Sequence, residues 1–264
     1  MTEIMDVARK IKSLPKIHLL LATPCYGGQC HVGFVNSLIS TINILQQLEV
    51  EVEYCLLGGE SLITRARNSL IAKFMSKPFT HIIFIDADVS WEAVNILRLL
   101  ASGLEVCGGI YPKKAINWER VIRGETDPER VSDLNVNRLD GRCVVGEFLP
   151  VRHLATGFMC IRKSVIETLI LKHPETKYTN NVAGYADASD WFYNLFHAGI
   201  VDSEYLSEDY WFCNLVRDAG IEIWADIECP LGHTGNMTFR GNLKKQEEDD
   251  GLGADQRLIS LKKH

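Results

Sequence analysis

The sequence contains no C-x-x-C pair, no internal repeat and no long apolar run. Without paired cysteine motifs, neither a zinc ribbon nor a redox dithiol is expected. No stretch approaches the length needed to cross a bilayer, so no transmembrane segment is expected. The opening MTEIMDVARKIKSLPK lacks the apolar centre of a secretory leader, which predicts a cytoplasmic protein. Positive charge is also scarce: 28 Lys and Arg stand against 34 Asp and Glu, a net charge of −6. Nucleic-acid binding rests on clustered cations, so no nucleic-acid partner is expected. A small phosphorylated ligand stays open, because a metal ion can meet its charge. Nothing in the sequence specifies an oligomeric state.

What remains is globular in character. Of the 264 residues, 46% are hydrophobic and 23% charged, with a pI near 5.8 and a mean hydropathy of −0.02. A chain of this length buries a core without disulfide support. Its eight cysteines are scattered, several inside apolar runs such as LEVCGGIY around Cys107 and ATGFMCIRK around Cys160. They read as buried, reduced thiols.

Apolar runs alternate with helical periodicity along the chain. Residues 17–23, IHLLLAT, form a continuous apolar run suited to a strand buried on both faces. A helical pattern follows over 32–48, a second strand over 50–57, and a helix in LITRARNSLIAKFM. THIIFI over 80–85 predicts a third strand that stops at DAD, then a helix over 91–101 and a strand in LEVCGGIYP. From 113 to 149 periodicity fades, with short strands expected near 135–139 and 143–148. VRHLATGFMCIRKSVIETLI reads as strand–turn–helix, and 172–205 is again irregular. SEDYWFCNLVRDAG is a helix with Ser207 as N-cap candidate and Gly220 as its stop, and IEIWADI is read as the last strand. The pattern predicts an α/β fold: a mostly parallel central sheet flanked by helices, with irregular insertions.

Four features carry chemistry. Asp86 and Asp88 follow an apolar strand, where parallel sheets place their ligand crevice. Two carboxylates one residue apart can hold a divalent cation against a diphosphate, although an Asp-rich surface turn has the same look. Glu208 and Asp209 open a helix, which suits either a capping arrangement or a general base. His233 lies between two glycines after the last expected strand, where it is either structural or an imidazole ligand for Mn²⁺. Arg65 and Arg67 either face solvent or contact phosphate or base in the crevice.

In their order, ATPCYGG, RARN, FIDAD, ATGFMCIRK, SEDYWF and LGH resemble a GT-A-fold glycosyltransferase, of the family-2-like and Anp1-like nucleotide-sugar transferases. The resemblance spans residues 17–240 and implies a Rossmann-like GT-A sheet. It implies a single domain over 1–264, with a nucleotide-sugar part near 17–112, an acceptor and catalytic part near 113–240, and a polar tail over 241–264. It also implies a metal-dependent transferase, using Mn²⁺ or Mg²⁺, that moves a sugar from a nucleoside-diphosphate sugar to a glycan or other hydroxyl-bearing acceptor.

Residue by residue, Thr23, Pro24 and Tyr26 match the turn that embraces base and ribose. Arg65 and Arg67 match the helix that approaches the nucleotide, and which of the two points inward stays open. Asp86 matches the residue that reaches ribose or a metal-bound water, Ala87 lies with it among the donor contacts, and Asp88 matches a metal ligand. Thr156 and Gly157 match the segment beneath the donor sugar. Asp209 matches the catalytic carboxylate, Glu208 beside it in the catalytic pair a contact to donor or acceptor, and His233 the late metal ligand. Residues after His233 would match the loop that closes over the donor, whereas 113–149 matches no acceptor pattern. Trp118, Tyr185, Trp191 and Tyr193 could stack on acceptor sugars or pack in the core.

With Asp209 as base, the acceptor hydroxyl attacks from the face opposite the leaving diphosphate, an inverting displacement; Anp1-like relatives instead retain configuration. Two other readings compete. A haloacid-dehalogenase-type phosphohydrolase would use the first Asp of DAD as nucleophile, but its motif normally follows the first strand. A nucleotide-sugar-binding module without turnover would have no use for a base at Asp209.

Overall fold

Continuous apolar runs require two covered faces, and a computed structural model describing residues 2–236 provides them. In the strand β1 (His18–Cys25), Leu20 and Ala22 point into one core cluster while Leu19 and Leu21 point into another. A later strand, His81–Ile85, divides likewise, with Ile82 and Phe84 on the first side and Ile83 and Ile85 on the second.

The chain begins with the helix α1 (Thr2–Ser13) before β1, then runs through α2 (Val32–Gln47), β2 (Glu51–Gly58), α3 (Ile63–Met75) and β3 (His81–Ile85). Next come β4 (Val89–Trp91), α4 (Ala93–Ser102), β5 (Val106–Gly109), α5 (Trp118–Ile122) and β6 (Val136–Arg138). They are followed by β7 (Phe148–Leu154), β8 (Phe158–Arg162), α6 (Lys163–Lys172), β9 (Gly199–Val201) and β10 (Glu204–Leu206). The elements α7 (Glu208–Asp218), β11 (Ile223–Asp226) and β12 (Leu231–His233) complete the described chain.

Eight strands form one sheet in the order β2-β1-β3-β8-β5-β11-β7-β6. Six of them point the same way and only β7 and β8 oppose them, since β8 is antiparallel to β3 and β5, and β7 to β11 and β6. The α/β class and the mostly parallel sheet therefore stand. Phe74 of α3, Leu169 of α6 and Phe212 of α7 fill one face; Phe34 and Leu45 of α2 and Leu97 of α4 fill the other.

Several local details differ from expectation. Trp91 does not open a helix: it ends β4, its Nε1 donates to Thr41 Oγ1 at 2.8 Å, and its ring packs edge-on to Phe34. That packing keeps Trp91 extended, and α4 starts after Glu92, which forms a reciprocal capping box with Asn95. The segment expected as strand–turn–helix is two strands, β7 and β8, before its helix. The strand expected near 143–148 begins only at Phe148. Gly108 allows the passage from β7 to β8: a Cβ there would lie 2.9 Å from Leu154 Cδ2 and 3.1 Å from Met159 Cα. The strand IEIWADI is not the last, because β12 follows and pairs with β4.

The described residues up to Thr234 form one compact unit. The polar tail expected over 241–264 lies outside the described residues, as does most of the segment matched to a closing loop. No helix among the described residues is long and apolar enough to cross a membrane. All eight cysteines are free; Cys25, Cys107, Cys160, Cys213 and Cys229 are buried as expected, whereas Cys143 is exposed.

Candidate functional site

The Asp86–Ala87–Asp88 turn is held by backbone hydrogen bonds from four parts of the chain. Asp86 N–H donates to Gly157 O at 3.0 Å, and Val89 N–H closes back onto Asp86 O at 3.1 Å. His31 N–H donates to Ala87 O at 2.9 Å, and Thr234 N–H to Asp88 O at 2.8 Å. The carboxylates are thus displayed from a fixed backbone at the end of β3. Beside them a cavity of about 380 Å³ is lined by Pro24, Tyr26, Gln29, His31, Ile63, Arg67, Asp86, Ala87, Asp88 and Glu208. Pro24 and Tyr26 enter from the end of β1, where Tyr26 is 81% exposed and therefore available to a ligand.

The two arginines of RARN part company. Arg65 turns away and pairs with Glu60, Nε to Oε2 at 2.6 Å and Nη2 to Oε1 at 2.8 Å. Arg67 turns inward and is buried, donating from Nη2 to Asp86 Oδ1 at 3.0 Å and from Nε to Glu208 Oε1 at 3.2 Å. Its guanidinium lies over the Phe84 ring, 5.5 Å from the centroid. Burial disfavours its charge, but Asp86 and Glu208 outweigh that penalty and hold its pKa above the ordinary value. Nη1 is buried without a partner. Asn68, the last residue of the motif, clamps the chain from Asn194 to Phe196: its side chain donates to Asn194 Oδ1 and Phe196 O, and accepts from Phe196 N–H.

Asp88 faces His233. Pairing of β12 with β4 sets His233 opposite Val89, and His233 Nε2 lies 3.4 Å from Asp88 Oδ1. Nδ1 of His233 is 2.8 Å from Pro112 O, which can only accept, so Nδ1 carries a proton. In the neutral ring Nε2 then directs its lone pair at a carboxylate oxygen. Two lone-pair atoms face each other stably only with a proton or a cation between them. An oxygen and an imidazole nitrogen form a donor pair that fits a divalent ion such as Mn²⁺. Asp86, expected as a third ligand, accepts from Arg67 on Oδ1. Among the described residues, no group of three or more His, Cys, Asp and Glu side chains is placed to hold a metal ion.

The other oxygen of Asp88, Oδ2, is paired with Lys114. Burial works to raise the Asp88 pKa, but hydrogen bonds, from His233 when Nε2 carries a proton and from Lys114, outweigh it and hold the carboxyl down at about 2. Lys114 was not among the sequence-based candidates, because it lies in the segment without periodicity. Tyr111 was missed too. It is buried, its ring meets His233 edge-on at 4.9 Å, and burial followed by the charge of Asp86 pushes its hydroxyl pKa up. Gly157 makes room for it: a Cβ there would lie 2.6 Å from Asp86 Oδ2 and 2.8 Å from Tyr111 Cζ.

Glu208 and Asp209 diverge at the start of α7. Glu208 joins Arg67 in the cavity, whereas Asp209 Oδ1 accepts from Ser207 Oγ and from Tyr210 N–H at 2.9 Å. Ser207 stands at the N-cap position, but its hydroxyl serves this carboxylate and makes no cap bond. That orients the Asp209 carboxylate through Oδ1. Further along α7, His153 fixes the helix to the sheet by stacking on Tyr210 at 4.5 Å and bonding Asn214 Oδ1 at 2.9 Å.

Thr23 and Thr156 are both buried, and Thr156 Oγ1 lacks a partner. Gly157 meets the site through its backbone. Of the four aromatic candidates, Trp191 and Tyr193 pack against the core, Tyr185 meets Phe192 edge-on at 5.7 Å, and Trp118 is 58% exposed. Larger cavities of about 650 and 560 Å³ open along Lys177–Phe192 and beside Trp211, away from the DAD turn.

No protein-family model matches this chain, and no curated protein matches it. It is similar to the crystal structure of A197 from STIV, at 15% identity over 86% of this chain and 98% of that one, with a TM-score of 0.44. It is also similar to GalNAc-T7 with UDP, GalNAc and Mn²⁺, at 11% identity over 86% of this chain and 45% of that one, TM-score 0.46. The inositol-1-phosphate CTP transferase from T. maritima is similar at 11% identity over 88% of this chain and 95% of that one, TM-score 0.42. Likeness of this degree carries no residue roles and no activity to this chain.

Proposed function

We propose that the chain is a glycosyltransferase that moves a sugar from a nucleoside-diphosphate sugar to an acceptor hydroxyl. One observation carries this reading. The DAD turn, Arg67, Glu208 and the exposed end of β1 line one cavity, and Asp88 and His233 converge at its edge. A binding pocket, a cation-binding pair and an oriented carboxylate are the parts such a transfer needs.

Pro24 and Tyr26 bind base and ribose from the end of β1, with Ala87 and Asp86 opposite. Arg67, neutralised by Asp86 and Glu208, sets the position of Asp86 against the ribose and is itself kept from solvent. Asp88 and His233 would hold a divalent ion, which when bound neutralises the diphosphate oxygens and supports their departure. Asp209, oriented by Ser207, takes the proton of the acceptor hydroxyl. The hydroxyl oxygen then bonds to the anomeric carbon as the bond to the diphosphate breaks, with inversion.

The test is a thermal-shift panel of nucleoside diphosphates and their sugars, with and without Mn²⁺. A cognate ligand at about 100 times its dissociation constant stabilises the fold by about 2.7 kcal/mol. A flat response across the panel overturns the reading. Release of the nucleoside diphosphate from the sugar that stabilises, with the sugar passed to an added hydroxyl acceptor or to water, then identifies the donor.

A further inference from the structure

Irregular as it is, the segment from 113 onward places one cation directly on the site. Lys114 Nζ is paired with Asp88 Oδ2, the oxygen opposite the one that faces His233. The backbone beneath it is fixed. Lys113 N–H donates to Asp133 O at 2.7 Å, Ala115 N–H donates to Lys113 O at 2.8 Å, and Pro112 bridges to Leu134. The side chain itself is 39% exposed, so its ammonium can swing on a flexible stem while the Cα stays in place.

Asp88 cannot serve both cations fully. A divalent ion binds carboxylate oxygens at about 2.0–2.6 Å and repels an ammonium on the same group. The diphosphate of a nucleotide sugar carries two negative charges, which together with the Asp88 carboxylate exceed the two positive charges of the ion, and it offers the displaced ammonium a new partner. The parked position and the phosphate are then alternative seats for one side chain.

We infer that Lys114 is a positioning residue for the donor diphosphate, seated on Asp88 in the free chain and moved to a phosphate oxygen when a divalent ion takes Asp88. The inference rests on the nucleotide-sugar reading of the site.

Its signature is two affinities that move in opposite directions in Lys114→Met. Binding of Mn²⁺ alone, read from the electron paramagnetic resonance signal of the free ion, tightens about tenfold because the competing charge is gone. Binding of UDP, GDP, ADP or CDP with Mn²⁺ present, read by calorimetry on whichever binds the native chain, weakens about tenfold because one phosphate partner is lost. Lys114→Arg keeps the charge and restores nucleotide binding at least in part, which separates this role from damage to the fold. Unchanged Mn²⁺ affinity in Lys114→Met, or loss of both affinities together, overturns the inference while leaving the reading of the site intact. If the native chain binds none of the four nucleotides with or without Mn²⁺, that reading falls and the inference falls with it.

Discussion

Arg67 Nε donates to Glu208 Oε1 at 3.2 Å although 141 positions separate the two residues in the chain. The same guanidinium holds Asp86, so one buried cation ties α3, the end of β3 and the start of α7 together. Removing it leaves two carboxylates facing each other without compensation. Arg67→Met is expected to destabilise the fold by about 3–5 kcal/mol, the usual cost of orphaning a buried ion pair. Arg65→Ala removes a partly exposed cation from one carboxylate, Glu60, and is expected to lower the urea midpoint less than Arg67→Met does. Equal midpoints for the two variants would remove Arg67 from its central place.

Gly157 is the tightest spot in the site. Gly157→Ala places a methyl group against Tyr111 and Asp86, and the overpacking is expected to cost about 1–3 kcal/mol. Tyr111→Phe deletes the hydroxyl that this methyl group meets, so the double variant should recover part of the loss. Chemical denaturation of the four members of this cycle measures the coupling, and strict additivity would show that the contact does not decide the cost.

The adjacent carboxylates of α7 should fail differently. Asp209→Asn keeps the bond from Ser207 but cannot take a proton, so turnover should fall by about 10²–10⁴-fold with nucleotide affinity unchanged. Glu208→Gln weakens the partner of Arg67 at the cavity wall and should lower nucleotide affinity and melting temperature together. Native turnover in Asp209→Asn would exclude that residue as the base.

Acid stability should report on a group far from the site. Burial, aided by the charge of Arg162, pushes the His81 pKa down from 6.5 to about 4. Between these values the unfolded chain binds a proton that the folded chain rejects, so stability rises with pH across that window. The contribution is full above pH 6.5 and lost as pH falls toward 4. His81→Gln should flatten this part of the stability profile, measured by urea titrations at successive pH values. An identical slope in the variant would assign the effect to other groups.

How much of this was legible in the sequence depended on range. The runs IHLLLAT and THIIFI read as strands covered on both sides because each residue's surroundings depend only on period and hydrophobicity, and both strands are so covered. The DAD turn was legible for the same reason, since it ends such a run. That only one of Arg65 and Arg67 faces inward was legible, since two residues apart on a helix lie about 200° apart, but which of them does so is set by Asp86 and Glu208, distant in the chain. Glu208 and Asp209, about 100° apart, could not share a direction either. Lys114, Tyr111 and Pro112 were beyond reach, because their roles come from where β4 and β12 pair and not from any local pattern. Trp91 was misread because packing on Phe34 and Thr41 overrode a helical periodicity.

The four backbone bonds around Asp86–Ala87–Asp88 also carry a message about folding. The turn's partners in them are His31, Val89, Gly157 and Thr234, so the turn is shaped only after most of the chain has come together. Partial structures that hold β1 to β3 alone contain the acidic residues but not their geometry. The protected amides of Asp86, His31 and Thr234 should therefore exchange with solvent only through the largest cooperative opening. A nick or truncation that releases β12 would leave a folded sheet whose acidic turn has lost its frame, along with the imidazole that faces it.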